Sequence, residues 1–401
     1  MKIILVHNTY QRPGGEDVVF DQERLLLEAH GHDVVAYRRS NWEVERYKGV
    51  KLPALAWRTV WSENTRKEFR RLLAEHRPDL VHIHNTFVMI SPSIYSACLE
   101  AGVPVVQTLH NYRLSCPAAT FYRDGRVCEE CREHSLWRSV RYGCYRDSRP
   151  ATAVVALTIA THRQLGTWTQ GVNCFVALSE FSRRKFIESG LPPGRIFVKP
   201  NFVYPDPNAR PGQGRYALFV GRLSPEKRVD TVLAAWSRLC SSIPLVVVGG
   251  GPELLTLKKT VDALGVSEVR FLGQLSRQST LDVIKAARFL IFSSEWYENF
   301  PMTIAEAFAC GIPVICSRLG AMQEIVDHGR IGLQFSPGNP AELADLVAWA
   351  WGHPEDMKAM GDEARREYEK KYTAEANYPK LMEIYRHALT PVGDAAAAAE
   401  S

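Results

Sequence analysis

Short apolar runs alternate with longer amphipathic stretches along almost the whole chain, and this rhythm restarts once. In the first half the runs are Lys2–Val6, Val34–Tyr37, Leu80–Ile83, Pro104–Leu109, Phe175–Leu178 and Ile196–Lys199. In the second half they are Tyr216–Val220, Pro244–Val248, Val269–Leu272, Phe289–Phe292 and Pro313–Cys316. Most of the gaps between them could hold one amphipathic helix. The strand–helix–strand rhythm predicts an α/β fold with parallel sheets covered by helices on both faces.

At 401 residues the chain is long for a single hydrophobic core, and two domains are expected. The stretch Tyr204–Gly214 carries Pro205, Pro207, Pro211 and two glycines, which is linker composition. The first domain is therefore placed over 1–203 and the second over 204–373. A last helical pattern, Ala374–Leu389, follows a break near Tyr372–Thr373. Residues 374–390 are expected to form a helix that can return to the first domain, and the alanine-rich 391–401 a flexible tail.

The totals exclude some classes. A net charge of +5 with dispersed basic residues and no docking element disfavours a nucleic-acid module. No segment approaches the ~20 apolar residues needed to cross a bilayer. The opening Met1-Lys2-Ile3-Ile4-Leu5-Val6-His7 reads as a buried strand rather than a signal peptide. The expected location is the cytoplasm, with the nine cysteines reduced.

In open α/β sheets, ligands bind beyond the carboxyl ends of the strands. The run Tyr216–Val220 leads into Gly221-Arg222-Leu223-Ser224-Pro225-Glu226-Lys227. Arg222 and Lys227 could neutralise a diphosphate there, the first as a planar fork and the second as a point charge. A solvated turn accounts for them equally well. Pro244–Val248 leads into Gly249-Gly250-Gly251-Pro252, which suits either close approach of backbone amides to a ligand or a plain tight turn. The most informative segment is Glu298-Asn299-Phe300-Pro301-Met302-Thr303-Ile304-Ala305-Glu306, continuing to Gly311. Pro301 fits a helix start and Gly311 its end. The amides of Phe300, Met302 and Thr303 would then face an anion or sugar hydroxyls, with Glu298 and Glu306 as acceptors for vicinal hydroxyl pairs. Acids that merely complement the helix dipole, or a glycosidase carboxylate pair, remain open on spacing alone.

The order and spacing of Glu298-x7-Glu306, Gly221-Arg222-x4-Lys227 and Gly249-Gly250-Gly251-Pro252 resemble the family-4 retaining glycosyltransferases of GT-B fold. The resemblance extends to Gly14-Gly15, His82-x-His84-Asn85 and Leu109-His110-Asn111, and spans about residues 1–389. It implies two Rossmann-like domains facing across a cleft, the second holding a nucleotide diphosphate sugar and the first the acceptor. By resemblance, Arg222 and Lys227 bind the diphosphate and stabilise the leaving group. Glu306 holds the ribose, and Glu298 holds the transferred sugar, helped by the amides between Asn299 and Met302. Gly15 and Gly250 face the donor, Phe271 lies in a loop beside the nucleobase, and His110 stands near the transferred sugar. No catalytic metal is implied, and no Asp-x-Asp motif is present. Other GT-B chemistry, such as a nucleotide-sugar epimerase or a phosphorylase, and a non-catalytic nucleotide-sugar binder are the rival functions.

Two features lie outside that core resemblance. Cys116, Cys128, Cys131 and Cys144 fall within 29 residues of an insertion over 112–149, a ligand count that suits a structural zinc; incidental thiols and redox-sensitive bridges are the alternatives. Between Arg46 and Arg77 lie nine Lys or Arg residues against three Glu, interleaved with Leu55, Trp57, Trp61 and Phe69. A second basic stretch, Arg132–Arg149, carries Trp137 and Tyr142. The plainer reading is a solvated face with its aromatics turned inward. The other is a peripheral contact with the inner face of a membrane, which would suit a lipid-linked acceptor in polysaccharide or glycoconjugate assembly.

Overall fold

The structure, a computed structural model, describes residues 1–11, 14–210 and 212–390. The expected tail, 391–401, and Pro211 of the expected linker lie outside the described residues. The chain divides into two compact units. The first takes in Met1–Phe121, Glu129–Pro200 and the chain from Asn377; the second takes in Tyr122–Cys128 and Asn201–Ala376.

In chain order the strands are β1 (Lys2–Thr9), β2 (Asp33–Ser40), β3 (Leu80–Asn85), β4 (Val105–Thr108), the short antiparallel pair β5 (Tyr122–Arg123) and β6 (Arg126–Val127), then β7 (Cys174–Ala177) and β8 (Ile196–Val198). The six longer elements form one parallel sheet in the order β2-β1-β3-β4-β7-β8. β3, β4 and β7 are buried along their whole length. β7 is apolar throughout, as a strand covered on both faces favours, while β3 and β4 bury His82, His84, Asn85, Gln107 and Thr108 among their apolar residues. The helix Ala374–Leu389 contributes Leu381, Ile384, Tyr385 and Ala388 to the same core as Ile3, Leu5, Phe20 and Leu80. Each of its larger apolar side chains stabilises the first unit by roughly 1.5–3 kcal/mol.

The second unit repeats the plan with β9 (Ala217–Val220), β10 (Leu245–Val248), β11 (Val269–Gly273), β12 (Phe289–Phe292), β13 (Val314–Ser317) and β14 (Gly332–Phe335). Its sheet is parallel throughout, in the order β11-β10-β9-β12-β13-β14. The chain builds outward from β9 to β11 on one side, then returns to build β12 to β14 on the other. That reversal puts a topological switch point between β9 and β12, where open α/β sheets bind ligands. In the first unit the corresponding switch lies between β1 and β3.

The expected strands all appear within one to three residues of their predicted ends. β14 and the β5–β6 pair were not anticipated: β14 is short and broken by Gly332 and Gln334, and each hairpin strand has only two residues.

Candidate active site

The two loops flanking the second unit's switch point carry the charged residues. After β9 the chain runs through Gly221 and Arg222 to a 3-10 turn, Pro225–Lys227. Arg222 is exposed, and its guanidinium meets no hydrogen-bonding or ion-pairing partner among the described residues. Lys227 is the opposite case. Its ammonium donates to Glu298 Oε1 from the loop after β12, and lies 5.0 Å from the Phe292 ring centre and 5.4 Å from that of Trp296. The same Oε1 accepts from Ser294 Oγ at 2.9 Å and Trp296 Nε1 at 2.7 Å. Three donors on one oxygen fix the carboxylate in a nearly buried position. Its Oε2 makes no hydrogen bond to a described residue, so it is the oxygen left for a ligand.

Glu298 leads into the helix Met302–Ala309, with Pro301 at its N-cap rather than inside its first turn. Within the helix the first N–H to find a backbone acceptor is that of Ile304, which donates to Pro301 C=O at 3.0 Å. The amides of Phe300, Met302 and Thr303 are therefore left at the positive end of the helix, as the sequence suggested. Gly311 ends the segment at φ 68°. Glu306 lies on this helix. Burial pushes its carboxyl above the ordinary value, while Arg277, with Nε 3.7 Å from Oε1, opposes that shift.

Three readings of the neighbouring loops change. Gly249 sits at φ 134°, and a Cβ there would lie 1.9 Å from Gly221 C=O; one on Gly251 would lie 2.1 Å from Leu223 C=O. These two glycines let the loop after β10 press against the loop after β9, where Leu223 N–H donates to Gly250 C=O at 3.0 Å. Gly250 alone has room for a ligand, its virtual Cβ meeting nothing closer than Gln274 at 4.0 Å. Phe271 belongs to β11 rather than to a loop, and its ring packs against the second unit's core. Phe300 and Asn299 are buried, so Phe300 offers a ligand its backbone rather than its ring.

In the first unit, Gly14 caps the helix Gly15–Ala29, and the Gly15 amide has no partner among the described residues. Asp17 shapes this turn, accepting from Gly14 N–H at 2.7 Å and contacting His7 Nε2 at 2.8 Å. His110 follows β4. Its Nε2 is 2.9 Å from Nδ1 of His84, and the two rings stack at 5.1 Å. Burial, then the neighbouring His84, holds the His110 pKa well below its usual value, so it is neutral near pH 7. Beside it, Asn111 Nδ2 donates to Glu16 Oε1 at 2.7 Å, and burial raises the Glu16 carboxyl. Glu16, Asp17 and Glu23 were missed as site residues. Asp17, an acid in the first helical turn after a glycine pair, offered a signal; Glu23 offered none.

Of the four insertion cysteines, Cys116 and Cys131 are buried and Cys128 and Cys144 partly so, with Cys128 counted in the second unit. The group of described residues that places three potential metal-ligand atoms within 4.8 Å of one another is Glu23, His82 and His84, not the cysteines.

The architecture matches known proteins across nearly its full length. A crystal structure of Anabaena HepE in complex with UDP-glucose aligns with a TM-score of 0.67 at 18% identity, covering 96% of this chain and 100% of that one. A sucrose-phosphate synthase from Thermosynechococcus elongatus aligns with a TM-score of 0.69 at 16% identity, covering 96% and 98%. At such identities the likeness concerns the fold, which is GT-B. Residues 13–206 match the family model described as Glycosyltransferase Family 4, and residues 203–367 the model described as Glycosyl transferases group 1. Between them the two models span nearly the whole described chain, and the protein belongs to these glycosyltransferases. A D-rhamnosyltransferase of Pseudomonas aeruginosa is 30% identical over 162 residues, 40% of this chain but only 42% of that protein. An uncharacterized glycosyltransferase of Methanocaldococcus jannaschii is 23% identical over 378 residues, 90% of this chain and 89% of the relative.

Proposed function

We propose that the protein moves a sugar from a nucleoside diphosphate donor to a glycan or lipid-linked acceptor, with retention of anomeric configuration. The observation that carries this reading is the gathering at one switch point of Arg222, the Lys227–Glu298 pair and the free amides at Met302. In the reaction, the bond from the anomeric carbon to the diphosphate breaks and its electrons go to the phosphate oxygen. The acceptor hydroxyl oxygen bonds to that carbon on the same face, and its proton passes to the departing diphosphate. Arg222 and Lys227 oppose the charge that grows on the leaving group. Glu298 Oε2 takes the hydroxyls of the transferred sugar, and Glu306 those of the ribose. His110 stands beside the sugar.

A thermal-shift screen over nucleotide sugars tests donor binding, because a ligand that binds only the folded state raises its stability by mass action. Uridine donors come first, since HepE was crystallised with UDP and UDP-glucose. A donor present at about 100 times its Kd is expected to stabilise by roughly 2.7 kcal/mol. Shifts with no donor would defeat the reading. Isomerised donor without transfer would favour an epimerase, and binding without turnover on any acceptor a non-catalytic binder.

The finer assignments are part of the same proposal. No helix among the described residues is long and apolar enough to cross a membrane, and peripheral contact is supported by one segment. Val50 is 95% exposed, Trp57 70%, Trp42 58% and Leu52 54%. Arg46, Lys48 and Lys51 are exposed among them, whereas Phe69 is buried. Exposed apolar groups set among cations suit an anionic bilayer surface at the cytoplasmic face. The helix Leu52–Val60 packs on Arg149–Gln164, as does Trp137–Tyr142, whose Trp137 and Tyr142 are also exposed. Trp57→Ser with Lys48→Ser and Lys51→Ser is expected to weaken sedimentation with phosphatidylserine vesicles at least about tenfold while leaving thermal stability unchanged. Unaltered sedimentation would remove the membrane contact.

The spacing of Cys116, Cys128, Cys131 and Cys144 supports a structural zinc. About one zinc per chain is expected, lost in the Cys128→Ser, Cys131→Ser double variant. A stable, metal-free native protein would end that assignment.

A further inference from the structure

Behind His110 lies a charged group that the transfer chemistry does not use. Glu23, on the helix Gly15–Ala29, is buried, and its Oε2 is 3.0 Å from the ammonium of Lys199, which is buried too. Its other oxygen, Oε1, is 3.0 Å from Nδ1 of His82 and 3.2 Å from Nε2 of His84. Burial alone would raise the carboxyl; Lys199, then His82, hold it well below its ordinary value, so it is ionised.

Three potential ligand atoms in one place invite a metal ion, but the surroundings oppose it. Lys199 already supplies the countercharge. Both nitrogens of His82 are engaged, Nδ1 with Tyr385 Oη at 2.8 Å and Nε2 with Thr108 Oγ1 at 2.8 Å. A cation would have to displace Tyr385 and sit beside an ammonium.

The atoms left are those of a chain running to the active site. His84 Nε2 and Glu23 Oε1 are both buried, and besides the 3.2 Å contact between them Oε1 meets only His82 Nδ1, while His84 Nε2 meets no other polar atom. At 3.2 Å from a carboxylate, a bare Nε2 would set lone pair against lone pair, so the proton of neutral His84 sits on Nε2. Its Nδ1 is then an acceptor, and at 2.9 Å it takes the Nε2–H of His110. We propose that Glu23, acting through His84, fixes the tautomer of His110, so that His110 offers its ligand a bare Nδ1. Glu23 and His84 are positioning residues.

This rests on the reading of His110 as the residue beside the transferred sugar, and it deepens that reading. His110 Nδ1 makes no hydrogen bond to a described residue, and the side chain is partly exposed. A neutral ring with a bare Nδ1 accepts and cannot donate there. The group it meets is then a hydrogen-bond donor, such as a sugar hydroxyl, and not a carboxylate or an ionised phosphate oxygen.

The test is nitrogen-15 NMR of the imidazoles in the full-length protein with labelled histidine at pH 7, assigned with His84→Gln and His110→Gln. The wild type is expected to show both His84 and His110 neutral and protonated on Nε2. A proton on His110 Nδ1 would overturn the proposal without recourse to any variant. Glu23→Gln gives the second arm. Lys199 draws the glutamine carbonyl toward itself, which turns the amide N–H toward His84 Nε2 and reverses the chain. The His110 proton is then expected to move to Nδ1 in most molecules. A folded Glu23→Gln protein that keeps His110 protonated on Nε2 would contradict control by Glu23. The underlying reading fails separately: full transfer by His110→Ala would detach His110 from the chemistry while leaving the wild-type tautomer as found.

Discussion

Arg222→Ala is expected to lower sugar transfer at least about tenfold while the melting temperature stays where it was. The guanidinium is exposed and unpaired among the described residues, so truncating it breaks nothing in the folded protein. What it removes is a cation facing the departing diphosphate, and more than about 1.4 kcal/mol of transition-state stabilisation corresponds to that loss of rate. Lys227→Ala should cost more, roughly a hundredfold, the scale seen when one donor to a developing oxyanion is deleted. It should also destabilise, because it leaves Glu298 with its charge uncompensated in a nearly buried site. The contrast is the useful part: steady-state kinetics should separate two rate defects that differential scanning calorimetry separates again. Glu306→Ala should likewise lose at least about tenfold in kcat/KM. Full activity in all three variants would strip these side chains of their assigned roles.

Gly251→Ala is expected to destabilise the second unit by about 3 kcal/mol, whereas Gly250→Ala should stay within about 0.5 kcal/mol of wild type. The new methyl at Gly251 would lie 2.1 Å from Leu223 C=O, and backbone cannot retreat as a flexible side chain can. Gly249→Ala should be as damaging, since it adds left-handed strain at φ 134° to a 1.9 Å clash with Gly221 C=O. For a unit of this size, ~3 kcal/mol corresponds to roughly 6–12 °C in melting temperature. Because these loops carry Arg222, the same variants should lose donor binding. Equal melting temperatures for all three alanine variants would show that the loops are not pressed together as described.

These glycines illustrate how far the sequence could be read. That a glycine triplet follows a strand was visible; that two of the three serve packing between loops was not, because the clash partner, the chain at Gly221–Leu223, is 26 or more residues away. The strands were legible because a parallel sheet covered on both faces favours apolar residues along its strands, and the polar residues of β3 and β4 were too few to hide the pattern. Arg222, Lys227, Glu298 and Glu306 were legible because order and spacing survive as motif. Glu23 was not. In Phe20-Asp21-Gln22-Glu23-Arg24 it reads as part of a solvated helix face, and only the approach of Lys199 and His84 makes it a buried charge. The basic segment from Arg46 to Arg77 divided in the same way. Phe69 turned inward as the plainer reading held, and Trp57 did not, because helix Leu52–Val60 packs by its other face on Arg149–Gln164.

The account stands or falls on whether one activated sugar is held at the switch point between β9 and β12. A crystal structure with a hydrolysis-resistant nucleotide sugar decides it. The diphosphate should lie on Arg222 and Lys227 at the amides of Met302 and Thr303, with Glu298 and Glu306 on sugar and ribose hydroxyls. A donor bound elsewhere, with those four side chains touching none of it, would contradict the central claim.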